Sequence, residues 1–288
     1  MNLLTVLLVI LGAGGIFFLA SFVMDVVKHK DDLGKENPVL GFFIGLVTDF
    51  FDTLGIGSFA PTTLLFKVTK FLDTDKKIPG TLNVAHTVPV LMEAFLFLTG
   101  VKVEGVTLFS MIAAAIIGAL VGARIVNKLP EKKIQLVMGV CLIVTAFLMM
   151  SGQLGWLKAL GAGNEAVGLT GIKLVIGVVG NFILGALMMA GVGLYAPCMA
   201  MVYMLGLSPL VAFPIMMGSC AGLMAIGSPE FIKAGNYARK GSIAIAIGVT
   251  VAYTLVKSMP LEVLTWVIIG VVILTGISMI RQGAKKEA

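Results

Sequence analysis

Asp49 and Asp52 stand three residues apart among Val47, Phe50, Phe51 and Leu54, and His86 falls in a second apolar stretch further along. On a helix an i, i+3 spacing places both carboxylates on one face. Ionisable groups are costly in hydrocarbon, so a carboxylate or imidazole set in such sequence is a candidate for passing protons or holding a charged solute. Asp52 is favoured over Asp49, because three residues after it the chain reads Gly55-Ile56-Gly57-Ser58-Phe59-Ala60-Pro61. The same signature returns as Gly191-Val192-Gly193-Leu194-Tyr195-Ala196-Pro197. Glycine and proline there interrupt a helix where an unpartnered N–H or C=O costs several kcal/mol, roughly, and interruption survives only beside a protein-enclosed cavity.

Interruptions at matching places in two halves of a chain point to a transporter's binding site. Half-helices that begin at such a break aim N–H groups and the positive end of the helix dipole into the cavity, an arrangement suited to an anion. The expected substrate-binding residues are Gly55, Gly57, Ser58, Thr62 and Thr63 at the first break, and Gly191, Gly193 and Tyr195 at the second. Asn83 and His86 are added from the helix after the first break, and Ser219, with Asn181, from the other half. Asp52, Asp49 and His86 are the expected proton-coupling residues, with Glu93 a weaker candidate. The plain alternatives are that small residues let helices pack closely, that the carboxylates lie near the surface or bond to Thr48 and Thr53, and that His86 is a structural hydrogen-bonder. Arg124 reads as an interfacial anchor.

The elements that must position these groups follow from the apolar runs. Segments are expected at roughly 3–25, 39–72, 79–99, 104–127, 132–150, 171–205, 208–229, 240–257 and 261–281. The two that carry the breaks, 39–72 and 171–205, would each reach roughly 50 Å as single helices, against a hydrocarbon core of about 30 Å. Each is therefore expected to fold into a V of two half-helices with its tip near mid-membrane. Charge supports this: only if both segments return to their own side do Lys28/Lys30/Lys35, Lys67/Lys70/Lys76/Lys77, Lys128/Lys132/Lys133, Lys233/Arg239/Lys240 and Arg281/Lys285/Lys286 all face the cytoplasm. Three crossings between the Vs then give the halves opposite orientation, an inverted repeat. Residues 1–130 form the first half and 131–288 the second. Leu129-Pro130 with Gly139-Val140 is echoed by Met259-Pro260 with Gly270-Val271, and Pro79 by Pro209. The Gly-rich connection 152–170 joins the halves.

Composition fixes the class. Hydrophobic residues are 58% of the chain and charged residues 12%, about half the charge of a soluble domain. The fold class is an all-α polytopic membrane protein. Its net charge of +6 is dispersed between apolar runs, which argues for topology and against nucleic acid as a partner. Cys141, Cys198 and Cys220 lie in apolar segments without metal-ligand spacing, so neither metal nor other cofactor is expected. The first apolar run, without a basic flank or cleavage site, reads as a retained spanning helix.

The paired glycine-plus-proline breaks, the duplicated halves, and a first half ending Gly122-Ala123-Arg124 before Leu129-Pro130 resemble the sulfite exporter TauE/SafE family, with likeness over almost the whole chain. The resemblance implies an integral membrane permease of the cell (inner or plasma) membrane that moves sulfite or a small organosulfonate, driven by ion gradients. The chain departs from the family's commoner pattern in a thinned glycine cluster preceded by Asp49 and Asp52, and in Ala252-Tyr253 where the second half lacks the Ala-Arg ending. The expected function is secondary transport of a small anion by alternating access, coupled to protons through Asp52. The alternatives are an anion channel with a half-helix filter, and a transporter of a small cation or carboxylate. An enzyme is not expected, since two histidines and scattered cysteines form no nucleophile–base or metal set. The expected partners are a small anion and the bilayer, and the oligomeric state stays open, with a homodimer as one reading.

Overall fold

The computed structural model describes residues 3–53, 57–255, 273, 276–277 and 279–284. The described chain is helical throughout, without a β-strand: α1 (Leu3–Lys28), α2 (Pro38–Thr53), α3 (Phe59–Thr69), α4 (Ile78–Gly100), α5 (Gly105–Val126), α6 (Glu131–Gln153), α7 (Trp156–Leu160), α8 (Gly171–Met188), α9 (Tyr195–Met204), α10 (Pro209–Ala234) and α11 (Arg239–Leu255). Among the described residues six helices are long and apolar enough to cross a bilayer: α1, α4 with the turn before it, α5, α6, α8 and α10. The protein is a multi-pass membrane protein. Of the expected segment 261–281 the described residues include 273, 276–277 and 279–281, all helical, while Gly270, Val271 and Met259-Pro260 lie outside the described residues.

Sequence explains the ends of these helices. Pro79 and Pro209 sit in the first turns of α4 and α10, where a missing N–H leaves no bond unmade. Glu104 caps α5 by accepting from Val106 N–H at 2.9 Å and Thr107 N–H at 2.7 Å, and these bonds hold its carboxyl below the usual range. Gly235, at φ 66°, ends α10 in the left-handed conformation. The 152–170 connection is more ordered than its glycines suggest. It contains α7, and it is tied down by Glu104 N–H donating to Val167 O at 2.8 Å and by Ser208 N–H donating to Ala166 O at 2.8 Å.

The core is built around α10, whose residues from Val211 to Ile232 are almost all buried, with α4, α5 and α1 packed against it. Helix α1 turns Leu7, Leu11, Gly14 and Phe18 inward, while Val9, Ile16, Val23 and Val27 on its other side stay exposed, as on a lipid-facing helix. Glycine decides two further contacts. A Cβ on Gly45 of α2 would strike the carbonyl of Ile245 on α11, and one on Gly185 of α8 would strike the carbonyl of Ala115 on α5. In the same way Gly248 of α11 lies against the carbonyl of Phe42, and Gly118 of α5 against that of Phe182. Helix α2 thus seats on α11 as α8 seats on α5, through small residues that bring backbones together.

Candidate functional site

Helices α3 and α9 begin in the same way. Ser58 precedes α3 at φ −83°, ψ −24°, and Leu194 precedes α9 at φ −81°, ψ −26°. Thr62 N–H donates to Ser58 O at 2.9 Å, and Cys198 N–H donates to Leu194 O at 2.9 Å. Pro61 and Pro197 occupy the third helical position of each, where the absent N–H costs no helical bond. The turns leading in differ. Gly57 takes φ +95° before α3, whereas before α9 the left-handed residue is Gly191 at φ +91° and not Gly193.

The two starts face each other. A Cβ on Gly57 would sit 3.8 Å from the Tyr195 ring, and one on Gly193 would sit 4.0 Å from Phe59 Cβ. Between them lies a crevice of about 10 Å³ lined by Gly57, Ser58, Phe59, Gly193, Leu194 and Tyr195, with Val90 of α4 and Met188 of α8. That volume holds about one water molecule. The first turns of α3 and α9, each with N–H groups that no helical carbonyl can reach, therefore close over one another with little room between.

Polar side chains gather behind this crevice. Phe59 tilts against His86, ring centroids 5.9 Å apart. His86 is fully buried, its Nε2 is 3.4 Å from Thr62 Oγ1, and its Nδ1 has no hydrogen-bond partner among the described residues. Thr62 also donates to Ser58 O at 2.8 Å, so it links the imidazole to the residue that starts α3. Asn83, one turn earlier on α4, donates to Pro79 O at 2.9 Å and to Met188 O, at the end of α8, at 3.3 Å, while its buried Oδ1 is unpartnered among the described residues. Thr63 bonds to Phe59 O at 2.8 Å and stiffens the first turn of α3. Pro89 within α4 deprives the Ala85 carbonyl, next to His86, of its helical donor.

Other expected site residues are placed elsewhere. Asn181 donates to Met111 O at 2.7 Å and to Ser219 Oγ at 2.8 Å, with Cys198 Sγ 3.8 Å from its Oδ1. This set joins α8, α5, α10 and α9 and does not line the crevice. Gly191 points away from the crevice, toward Met138 and Leu82. Asp49 is buried within the protein on α2, and Glu93 is buried on α4. The side chain of Asp52 and all of Gly55 lie outside the described residues. Arg124 is 65% exposed and stands 3.7 Å from Glu230. Phe59, Val90, Met188 and Leu194 are the lining residues that sequence reasoning left out. Apolar side chains carry no chemical signature, and only the position of Phe59 and Leu194 beside the glycines could have pointed to them.

The arrangement offers backbone N–H groups, two positive helix ends, hydroxyls and one imidazole around a buried spot. No group of three or more His, Cys, Asp or Glu able to hold a metal exists among the described residues. Comparison with curated proteins and with solved structures gives no match. A family model, that of the sulfite exporter TauE/SafE, matches residues 2–149. The match includes the first break, His86 and the α5 glycines, and covers just over half of the 288 residues, so the chain belongs to the sulfite exporter TauE/SafE family.

Proposed function

We propose that the protein is a secondary transporter of a small anion, sulfite or a small organosulfonate, working by alternating access in the cell membrane with its C-terminus in the cytoplasm. The observation that carries this reading is the pair of helix starts with matching backbone angles facing each other across one buried crevice. Two positive helix ends converging away from water favour an anion and disfavour a cation. Gly57, Ser58, Gly193 and Tyr195 bound the anion directly in this reading. Because the Thr62 hydroxyl hydrogen goes to Ser58 O, His86 turns its Nε2–H to Thr62 Oγ1. Its Nδ1, without a partner among the described residues, donates to the anion once the ring has taken up a proton and Phe59 has moved; Asn83 helps to orient the site.

Residues 1–130 and 131–288 act as inverted halves, with α2–α3 and α8–α9 as their V-shaped elements. The paired contacts of Gly45 with Ile245 and Gly185 with Ala115, and of Gly248 with Phe42 and Gly118 with Phe182, support a two-fold relation between the halves. Gly118 and Gly248 each precede a proline, Pro130 and Pro260, by twelve residues. The halves differ in one informative place. Twelve residues separate Gly45 from Gly57, but eight separate Gly185 from Gly193. The difference of four is about one helical turn. The first half gains that turn where Asp49 and Asp52 stand, so the acidic pair belongs to one half only and is the reading's proton-coupling element. A permanently open channel fits a crevice of about 10 Å³ less well than a carrier caught closed.

The test is uptake into proteoliposomes from a panel of sulfite, small sulfonates, carboxylates and simple cations, with and without a pH gradient. Sulfite or sulfonate counterflow is expected, with His86→Gln slowing it about 10- to 100-fold, the scale of one lost charge-assisted hydrogen bond. Asp52→Asn is expected to abolish its pH dependence. Cation uptake without anion uptake, or conductance without counterflow, overturns the proposal.

A further inference from the structure

We propose that a second site, apart from the crevice, binds a zwitterion carrying a primary ammonium and a phosphate, the chemistry of an ethanolamine phospholipid headgroup. The site is a cavity of about 650 Å³ where α2 begins and α3 ends, lined by the loops before α2 and after α3. That volume is in the range of small-molecule pockets, roughly 300–1,000 Å³.

Its charges ask for both signs at once. Glu36 is 7% exposed, and its Oε2 is buried without a hydrogen-bond partner among the described residues. Oε2 is folded back against Gly34, so Oε1 is the carboxylate oxygen that a donor in the cavity meets, and a mostly buried carboxylate without a charged partner calls for one. Lys35 and Lys70, on the same lining, form no ion pair among the described residues, whereas Lys77 is already held by Asp73 at 2.9 Å. An anion alone would meet Glu36 and Asp32, and a cation alone would meet the lysines. A zwitterion satisfies both.

The backbone is shaped for this. Gly34, at φ +107°, leaves Glu36 Oε2 2.3 Å from where a Cβ would stand, so a side chain at 34 would be strained and would displace the carboxyl from its present place. Lys70 is the non-glycine residue with positive φ, 52°, among the described residues, held there by its N–H bond to Phe66 O. That conformation closes α3 and leaves Lys70 on the cavity lining. The lipid-facing surface runs up to the same place. Val39, Phe43 and Val47 on α2 and Val68 on α3 are all at least half exposed, next to Leu40, which lines the cavity. A headgroup seated between Glu36 and the lysines can therefore lay its chains along apolar surface. Because the cavity spans the two ends of the α2–α3 pair, its occupant would brace that pair.

The experiment measures unfolding temperature of the purified full chain in detergent against dihexanoyl phosphatidylethanolamine, phosphatidylglycerol, phosphatidylcholine and soluble phosphoethanolamine. Phosphatidylethanolamine is expected to stabilise saturably. Phosphatidylglycerol has no ammonium and phosphatidylcholine no N–H to donate, so each should bind about tenfold or more weakly, as should phosphatidylethanolamine to Glu36→Gln or Lys70→Ala. Soluble phosphoethanolamine acting as well as the lipid assigns the site to a free zwitterion. Its failure beside a positive lipid result assigns the site to the bilayer. Either keeps the recognition chemistry. If Glu36→Gln does not fold, the exposed pair Lys35→Ala and Lys70→Ala carries the test. Equal binding of phosphatidylglycerol and phosphatidylethanolamine, variants that bind like the parent, or no binding by any of the four probes overturns the proposal.

Discussion

Alanine substitution at three glycines of the breaks separates a backbone requirement from mere smallness. Gly57 and Gly191 hold φ of +95° and +91°, and Gly193 holds no positive φ. Forcing an L residue into such a conformation costs about 1–3 kcal/mol. At Gly57 a methyl would meet only the Tyr195 ring at 3.8 Å, so strain is the whole effect. At Gly191 it would come within 2.7 Å of Met138 Cε, the free end of a flexible side chain, which adds on the order of 1 kcal/mol. At Gly193 the nearest atom is Phe59 Cβ at 4.0 Å, so alanine should be neutral, or stabilising by about 0.5 kcal/mol through the unfolded chain. Reversible unfolding in mixed detergent micelles, followed by circular dichroism, should rank Gly191→Ala as most damaging, then Gly57→Ala, with Gly193→Ala unchanged. The larger Gly193→Leu should keep the fold and stop transport, because its side chain fills a crevice with room for one water. Equal destabilisation by Gly193→Ala and Gly191→Ala, or none by Gly57→Ala, would refute this reasoning.

Gly118→Ala and Gly248→Ala should each cost about 1–3 kcal/mol in the same assay, because the added methyl meets a backbone carbonyl of the facing helix and the helices must separate. Similar losses are expected from the two, and a tolerant site in either half would count against their equivalence. Glu104→Gln should lower stability at neutral pH by about 0.3–1 kcal/mol, the scale of a charge at a helix start. Since folding lowers the Glu104 value, its contribution is complete above the ordinary 4.5 and is lost as pH falls through the lower folded value. The gap between parent and variant should thus close in acid, and a gap that widens there contradicts the capping role.

Much of the helix order was legible because its signals are local. Overlong apolar runs suggested splits near Gly57 with Pro61 and Gly191 with Pro197; among the described residues α2 ends at Thr53, α3 begins at Phe59, α8 ends at Met188 and α9 begins at Tyr195. The proximity of His86 to the first break followed from its place one helix later. What could not be read was which partner each group would find. Asn181 and Ser219 have the chemistry of ligand-binding residues, yet facing carbonyls and hydroxyls use them to join α8 to α5 and α10, a matter of three-dimensional neighbours. Gly191 and Gly193 look alike in sequence, and only the backbone path distinguishes the one that turns the chain. The cavity at Glu36 was hidden because its parts come from loops on either side of the α2–α3 pair.

A structure with sulfite bound tests the central claim most directly. The account predicts density within hydrogen-bond reach of the first N–H groups of both α3 and α9, with the crevice widened and His86 turned toward the anion. Sulfite that contacts neither helix start, or a crevice that stays shut while transport proceeds, would contradict it.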